Sequence, residues 1–357
     1  MSILIIAEAG VNHNGEKTKA LELIEAAAQS GADAVKFQTF KAERLALFDA
    51  PKADYQKKTT GASESQLAML QALELPFEWH QEMQKYAHDL GIKFISTAFD
   101  QASLEFLETL NLPFYKIPSG EITNAPLLLA FAQTKKRLVL STGMATLGEI
   151  EQALAILAWG YNHTEIPESL EDVWRFWSSP YSANSVHDNV SLLHCTSQYP
   201  TSMEEVNLRA MDTLSSSFGL PVGYSDHTQG LLIPAAAVAR GATIIEKHFT
   251  LDRTLPGPDH MASLEPHELS QMVREIREIE KALGNGWKRP QVSEWDTRSS
   301  ARQKIIALTE IREGDLYGAE NLATARTGDG RSPIYIWDLF GTKAGRSYKA
   351  GEAVGDF

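Results

Sequence analysis

The sequence has a single cysteine, fewer basic than acidic residues and no long apolar run. Each of these features excludes a class of protein or partner. Cys195 is the only cysteine in 357 residues, so no disulfide forms within the chain, and we expect a reducing cytoplasm. No stretch approaches the roughly 18 apolar residues of a membrane span. The opening MSILIIAEAGVNHNG lacks a basic region and is interpreted as a buried strand rather than a signal peptide.

Basic residues are outnumbered by acidic ones. The chain has 33 Lys and Arg against 46 Asp and Glu, which gives a net charge of −13. Nucleic acids and anionic membrane surfaces both require basic protein surface, so neither is an expected partner. An anionic small molecule is not excluded, because a few local cations suffice to bind one inside an acidic protein.

What the sequence does have is one unit that recurs eight times, a short apolar run that ends in polar residues. The runs cover residues 4–11, 33–40, 93–99, 114–121, 137–144, 190–197, 221–228 and 243–250. Continuous apolar runs indicate parallel strands buried on both faces. Helical stretches usually follow the runs, and eight such units are what a closed barrel requires, so we predict an α/β fold with a (β/α)8 TIM barrel over residues 1–286. A doubly wound open sheet is the alternative.

The clearest helices are predicted around residues 19–32, 145–157 and 265–286. The second begins with Thr146 and Glu149 at capping-box spacing. The third is followed by Gly284 and Gly286, which indicate the C-terminus of the helix.

Two connections between the predicted strands are long. Residues 41–80 include the polar stretch 53–66, which we expect over the barrel mouth. Residues 158–189 are interpreted as a surface elaboration or subunit contact, because they precede a strand and so lie away from the catalytic end.

The pattern changes after Trp287. Residues 287–300 are polar and aperiodic and predict a linker. Residues 301–357 contain short apolar runs and Gly-rich turns, which predict a separate small domain.

The predicted strands end in polar residues, and in a barrel catalytic groups lie at these C-terminal ends. A barrel built for stability alone has no need of so many polar groups at one rim. Together they predict a polar active site, formed by Glu8, Lys36, Gln38, Ser96, Thr97, Ser119, Glu121, Ser141, Thr142, Thr196, Ser197, Ser225, Asp226, His227, Glu246, Lys247 and His248.

His227 and His248 end adjacent predicted strands. Neighbouring strands lie about 4.8 Å apart, so both imidazoles can reach one ion. Two His with a carboxylate and open positions suit Mn²⁺, Fe²⁺ or Zn²⁺. The alternative, that both are hydrogen-bonded structural histidines, stays open.

Each of the other rim residues can be interpreted in two ways. The hydroxyls suit a phosphate pocket with Lys36 or Lys116, or alternatively cap strand ends. Glu8 and Glu121 suit a metal ligand or a general acid or base, or alternatively form salt bridges with these lysines. Cys195 is interpreted as a buried, inert thiol. The hydroxyl residues are Thr97, Ser119, Ser141 and Ser225.

The rim residues belong to long motifs. IIAEAGVNHNG, KFQT, STAF, YKIPSGEI, LSTGM, HCTSQYP, VGYSDHT and EKHFTLDRTLPGPDH together resemble the sialic-acid synthase family, and the tail resembles that family's antifreeze-like (SAF, β-clip) domain. The resemblance covers nearly the whole chain. It implies an enzyme that joins phosphoenolpyruvate and water to the open-chain aldehyde of an N-acetylmannosamine-type sugar, giving a nonulosonic (sialic) acid and phosphate.

The resemblance also implies roles for individual residues. His227 and His248 would hold a divalent metal, Mn²⁺ before Mg²⁺ or Co²⁺, and Glu8, Glu121 and Lys36 would be catalytic. Lys36, Thr97, Ser119, Ser141 and Ser225 would hold phosphoenolpyruvate, with Ser197 as a further contact at a position where the family often has Asn or Thr. Gln38, Lys116, Tyr199 and Asp259 would contact the acceptor sugar. Arg326 would come from the partner's tail in a domain-swapped homodimer.

Three alternatives differ in substrate or class. A legionaminate-type synthase would use a 2,4-diacetamido-trideoxy sugar instead. A Schiff-base pyruvate aldolase would use Lys36, Lys116 or Lys247 as the amine. An ice-binding role needs a flat, weakly charged face, whereas the tail carries many charges, among them Arg312, Glu313, Asp315 and Arg346.

Overall fold

The computed structural model describes residues 2–48, 50–52, 56–57 and 65–355. The chain forms two compact units, Met1–Gly284 and Asn285–Phe357. The first unit contains eight strands: β1 Leu4–Gly10, β2 Ala34–Thr39, β3 Lys93–Ala98, β4 Tyr115–Ile117, β5 Leu138–Ser141, β6 Val190–His194, β7 Val222–Asp226 and β8 Ile244–His248.

These strands form one parallel sheet in the order β3-β2-β1-β8-β7-β6-β5-β4. The first and last strands of this order, β3 and β4, pack against each other. The sheet therefore curls into a near-barrel. The prediction of eight parallel strands in a TIM-barrel-like arrangement is confirmed.

Helices separate the strands. They are α1 Lys17–Gln29, α2 Ala42–Leu45, α3 Gln66–Ala72, α4 Phe77–Asp89, α5 Gln101–Glu108, α6 Ala125–Gln133, α7 Leu147–Asn162, α8 Leu170–Trp177, α9 Ser182–Asn189, α10 Ala210–Phe218, α11 Leu232–Ala239 and α12 Pro266–Leu283. The predicted capping box is present, since Thr146 and Glu149 each accept the other's backbone N–H. Gly284, with φ 62°, follows the last residue of α12 as predicted.

The inside of the sheet is built in two layers. A buried apolar cluster comprises Ile6, Ala34, Ile95, Phe114, Val139, Leu193 and Ile244. Successive strand residues alternate between faces, so the residue two positions further on shares the same face. In the same order, those residues are Glu8, Lys36, Thr97, Lys116, Ser141, Cys195 and Glu246. An apolar layer therefore supports a polar layer on the same face of the sheet.

Several predicted strands are longer than the observed ones. The predicted run 114–121 is a strand only over Tyr115–Ile117, and Ser119–Glu121 form a 3₁₀ turn. Pro118 has no backbone N–H to donate to a neighbouring strand, which ends the ladder there. The polar residues after such strands are therefore held in loops.

The two long connections have different structures. In the first, α2 and α3 are described, whereas 53–55 and 58–64 of the predicted polar stretch lie outside the described residues. The second completes α7 and forms α8 and α9, which both pack against α7.

The second unit has its own small core. Helix α13 Trp295–Ala301 precedes β9 Gln303–Ala307 and β10 Leu322–Arg326, which pair in antiparallel fashion, and α14 Ile336–Leu339 follows. The core includes Ile305, Leu322 and Tyr348. Most of α13 falls in the predicted linker 287–300, and its residues are largely exposed. Without a buried face the helix leaves no apolar periodicity in the sequence. Among the described residues, no helix has the length and apolar character to cross a bilayer.

We expect Gly223→Ala to lower the free energy of unfolding by about 1–3 kcal/mol, the usual cost of overpacking. A Cβ on Gly223 would lie 2.5 Å from Ile244 O and 2.7 Å from Leu193 Cδ2. Gly148→Ala is the matched control, because its Cβ would come no closer than 4.0 Å to its neighbour Thr146 Oγ1. In α7 this change should stabilise by up to about 1 kcal/mol. Urea unfolding measures both, and equal midpoints would contradict the packing described here.

Candidate active site

A cavity of about 460 Å³ lies at the C-terminal ends of the strands, a volume typical of small-molecule sites. Of the polar strand-end residues predicted to form the active site, Ser96, Thr142, Thr196, Asp226 and Lys247 do not line it. The residues to which the family resemblance assigns individual roles do line it, apart from Arg326. They are Glu8, Lys36, Gln38, Thr97, Lys116, Ser119, Glu121, Ser141, Ser197, Tyr199, Ser225, His227, His248 and Asp259. Arg326 ends β10 in the second unit, opposite Gln303.

One wall of the cavity comes from the connection after β2. Leu45 of α2, Met69 and Leu70 of α3, and Leu73 immediately after α3 line it. Met69 and Leu73 are buried in a cluster with Val11. This wall places apolar side chains beside a polar floor, and an apolar environment strengthens electrostatic interactions.

The floor contains four buried charges that we call the charged quartet: Glu8, Lys36, Lys116 and Glu246. Each is at most 4% exposed. Lys36 Nζ lies 2.8 Å from Glu8 Oε2 and 3.6 Å from Glu246 Oε2, and Lys116 Nζ lies 3.0 Å from Glu246 Oε1. Two cations thus neutralise two carboxylates, as burial of charge requires.

The two carboxylates of the quartet have different pKa values. Burial alone raises the pKa of Glu246, but the adjacent Lys116 and Lys36 outweigh burial and hold this pKa well below its usual range. For Glu8, burial outweighs the attraction of Lys36 and raises the pKa to about 7. Despite burial, Glu246 and Glu8 raise the pKa of Lys36, so its ammonium form is favoured.

Glu246 is the residue whose importance sequence reasoning missed. It was one of many polar strand ends, and no role was assigned to it. Its carboxylate contacts both lysines of the quartet and accepts a hydrogen bond from Ser225 Oγ at 2.8 Å. The available signal was its position two residues before His248, which puts both side chains on one face.

Hydroxyl groups surround the quartet. Lys36 Nζ donates to Thr97 Oγ1 at 3.2 Å, and Gly143 N donates to Ser119 Oγ at 2.9 Å. Ser141 Oγ is buried and has no hydrogen-bond partner among the described residues. A buried hydroxyl without a partner is costly, which is expected where a ligand completes the bonding.

The backbone approaches these hydroxyls closely at Gly143. A Cβ there would lie 2.8 Å from Ser119 Oγ, 3.0 Å from Cys195 Sγ and closer still to Ser197 Oγ. Only glycine leaves this space open. Cys195 itself is buried, and burial raises the pKa of its thiol, which favours the unreactive protonated form.

The two histidines lie together, with ring centroids 5.5 Å apart. His227 Nδ1 lies 2.6 Å from Thr196 O, so Nδ1–H donates to that carbonyl and leaves Nε2 with a free electron pair. Burial lowers the pKa of His227 to about 4 and that of His248 well below its usual value. Both imidazoles are therefore neutral at physiological pH, as metal ligation requires.

The donor set fits an open rather than a closed metal site. Within the described ranges, no three His, Cys, Asp or Glu side chains group closely enough to hold an ion. His248 Nδ1 lies 3.8 Å from Asp259 Oδ2, and the ring centroids of Tyr199 and His227 are 4.1 Å apart. Two neutral imidazoles with free positions fit a divalent ion that takes its other ligands from substrate or solvent.

Two further carboxylates line the cavity. Glu121 is partly buried, and its Oε2 accepts from Asn124 Nδ2 at 2.6 Å. Asp259 is buried, and burial raises its pKa to about 6.

We expect the substitutions Glu246→Gln and Glu8→Gln to have opposite pH dependences. The pKa of Glu246 is depressed below 4.5 in the folded state, so its ionised form stabilises the fold above about pH 4.5, and this contribution is lost as pH falls. The pKa of Glu8 is raised from 4.5 to about 7, so the wild type loses stability relative to Glu8→Gln across that window, by up to about 3 kcal/mol.

The measurement is urea unfolding between pH 3 and 8. The stability advantage of wild type over Glu246→Gln should shrink toward the acid end. The advantage over Glu8→Gln should shrink toward the neutral end. If both stability differences shrink toward the same end of the pH range, the opposite pKa shifts assigned to Glu246 and Glu8 are wrong.

Comparison with known proteins identifies the family of this chain. A profile of the NeuB family matches residues 23–288. The chain is 46% identical to N,N'-diacetyllegionaminic acid synthase from Campylobacter jejuni, with 98% of each chain covered. It is 45% identical to the enzyme of the same name from Legionella pneumophila, with 99% of this chain and 94% of the relative covered.

A solved structure is similar as well. The chain matches the crystal structure of N-acetylneuraminic acid (sialic acid) synthetase from Leptospira borgpetersenii with a TM-score of 0.67 and 34% identity. The match covers 84% of this chain and 90% of the other. The chain belongs to the NeuB family and is an enzyme of the sialic acid synthase type.

Proposed function

We propose that the enzyme condenses phosphoenolpyruvate and water with the open-chain aldehyde of an N-acetylated amino sugar, giving a nonulosonic acid and phosphate. The observation that carries this proposal is the charged quartet with its surrounding hydroxyls. Two ammonium groups and several short donors in one cavity are what a phosphate and a carboxylate require.

Phosphoenolpyruvate would bind at the quartet. Lys36 remains protonated at neutral pH because its pKa is raised. Thr97, Ser119 and Ser225 line the same cavity, and the hydroxyl of Ser141, which has no partner in the described part of the chain, would donate to the phosphate. Ser197, beside Gly143, would be a further contact.

The acceptor sugar would occupy the side of the cavity nearer the histidines. Tyr199 and Asp259 lie beside His227 and His248, and Gln38 Nε2 donates to Glu8 Oε1 at 3.4 Å. With Lys116 they offer the mixed donors and acceptors that hydroxyl and acetamido groups need.

In the reaction, C3 of phosphoenolpyruvate attacks the aldehyde carbon, and the aldehyde oxygen takes a proton. Water adds to the cationic centre at C2 and loses a proton, and loss of phosphate then leaves the C2 ketone. Glu8, with a pKa of about 7, is matched to proton transfer near neutral pH, and Glu121 is the second candidate. A divalent ion, Mn²⁺ before Mg²⁺ or Co²⁺, would be held by His227 and His248 and would polarise the aldehyde.

The comparisons favour the diacetamido sugar over N-acetylmannosamine as acceptor. Both relatives named for N,N'-diacetyllegionaminic acid are 45–46% identical, whereas the structure named for N-acetylneuraminic acid is 34% identical. We therefore propose a 2,4-diacetamido-trideoxy sugar as the preferred acceptor.

A Schiff-base aldolase is disfavoured by the lysines. An imine requires a neutral amine at the substrate. Lys247 does not line the cavity and is ion-paired with Asp226, and the raised pKa of Lys36 favours its charged form.

The function is tested by incubating the protein with phosphoenolpyruvate, Mn²⁺ and each acceptor in turn. We expect phosphate release with both sugars, a higher kcat/KM with the diacetamido sugar, and no release when the acceptor or the metal is omitted. Mass spectrometry identifies the products. Absence of phosphate release with either sugar, or a pyruvate adduct trapped by borohydride, would refute the synthase proposal.

We also propose that the second unit is an antifreeze-like (SAF) domain that supplies Arg326 to the partner's cavity in a domain-swapped homodimer. Its planar guanidinium would donate to sugar hydroxyl or N-acetyl groups. Arg326 ends β10 and is exposed, and it forms no ion pair with the residues that the structure describes.

This arrangement predicts complementation between inactive subunits. Arg326→Ala should raise the KM for the sugar and leave phosphoenolpyruvate affinity unchanged. Mixing Arg326→Ala subunits with His248→Ala subunits should restore part of the activity, because one intact cavity then receives an intact arginine. If subunit exchange is verified and no activity returns, the arginine acts within its own subunit or not at all.

A further inference from the structure

On the outer side of the sheet, away from the cavity, lies an ion pair that has no role in the proposed chemistry. Asp226 Oδ2 and Lys247 Nζ are 2.5 Å apart, and both side chains are 0% exposed. The two residues are register partners on β7 and β8. Each immediately precedes one of the two histidines, His227 and His248.

The strand pleat puts this pair on the outer side of the sheet. Ser225 and His227 line the cavity, so Asp226, which lies between them, faces the opposite way. The same alternation separates Lys247 from its neighbours Glu246 and His248. The pair is thus placed where it can hold the strands without touching a ligand.

The pair fixes the chain immediately after His227. Asp226 Oδ1 accepts from Thr228 N at 3.0 Å, and Asp226 Oδ2 accepts from Thr228 Oγ1 at 3.1 Å. Lys247 Nζ donates to the carbonyl of Thr228. The N–H, hydroxyl and carbonyl of one residue are therefore all bonded to the pair.

The peptides of both histidines are also held by the surrounding backbone. His227 O accepts from Thr201 N at 2.9 Å, and His248 O accepts from Leu264 N at 2.9 Å. These bonds fix His227 and His248 each to a loop. The ion pair joins the two histidine-bearing strand ends to each other through side chains on the outer side of the sheet, as Ser225 and Glu246 do on the cavity side.

Stability alone is a poor reason for such a pair. Removing two charges from water costs several kcal/mol per ion, and apolar residues of similar volume often stabilise a fold as well or better. The ion pair differs from apolar packing because its hydrogen bonds are directional. Each of them fixes a specific atom of Thr228.

We propose that the Asp226–Lys247 pair positions His227 and His248, setting the separation and orientation of their rings and thereby the affinity of this histidine pair for a divalent cation. The cation part of this inference rests on the proposed function. The positioning part concerns only the ring geometry and stands by itself.

The test uses Lys247→Met, Asp226→Asn and the apolar double variant Asp226→Leu/Lys247→Met. Asp226→Asn keeps a hydrogen-bonding side chain in place and serves where Lys247→Met fails to fold. The control breaks a different, partly exposed ion pair, Arg277 Nη2–Asp33 Oδ2 at 2.7 Å, by Arg277→Met and Asp33→Asn. Asp33 precedes β2 and therefore lies at the opposite end of the strands from the histidines.

Three quantities are measured on the full-length, EDTA-treated protein: the Mn²⁺ dissociation constant, the urea midpoint and the ring geometry in crystals. We expect the variants at Asp226 and Lys247 to weaken Mn²⁺ binding about 10–100-fold, the usual effect of losing a group that orients a ligand. The double variant should regain stability without regaining Mn²⁺ affinity. The control variants should lose stability with less than about a twofold change in Mn²⁺ affinity.

Two results would overturn the proposal. One is an unchanged arrangement of the His227 and His248 rings, with the 5.5 Å centroid separation kept in the double variant. The other is weakening of Mn²⁺ binding in the control variants in proportion to their loss of stability. If the wild type binds no Mn²⁺, the metal part of the proposed function fails, and the ring geometry in the variants still decides the positioning role.

Discussion

Electroneutrality in a buried space is the constraint on which the rest of this site depends. An unpaired charge in the interior is very costly, so the lysines that suit an anionic substrate require carboxylates beside them. Lys36 and Lys116 share Glu246, and Glu8 supplies the second negative charge. The two carboxylates therefore balance the two lysines when no ligand is bound.

The fold meets this constraint through the two-residue period of its strands. An apolar side chain lies two residues before each charge of the quartet: Ile6, Ala34, Phe114 and Ile244. That lower layer closes the sheet interior and keeps water from the floor, which makes the charges of the upper layer interact strongly. Changing the register of one strand by one residue would exchange the two faces and destroy both layers.

Much of this could be predicted from the sequence, because it depends on short-range patterns. The eight apolar runs, the capping box at Thr146 and the stop at Gly284 are local signals, and the structure confirms them. The positions at which strands end were predicted only approximately, since Pro118 was included in an apolar run. The helix Trp295–Ala301 was missed because an exposed helix has no apolar periodicity.

The contacts between side chains on different strands could not be predicted from short-range sequence patterns. Glu246 is central because it lies between two lysines from other strands, and the pairing of Asp226 with Lys247 depends on the register of β7 and β8. A list of polar strand ends contains all these residues but does not say which ones touch. Register follows from the packing of whole strands, which no single motif encodes.

The balance of the quartet also links ligand binding to protonation. An anion that enters beside Lys36 adds negative charge to a neutral group, and one member must compensate. Glu246 resists protonation because two ammonium groups hold its pKa low, whereas Glu8 already has a pKa of about 7. A nearby anion raises the pKa of a carboxyl further. In the proposed reaction, Glu8 would therefore be the carboxyl of the quartet that most readily takes up a proton when an anionic substrate binds, and it could then donate that proton.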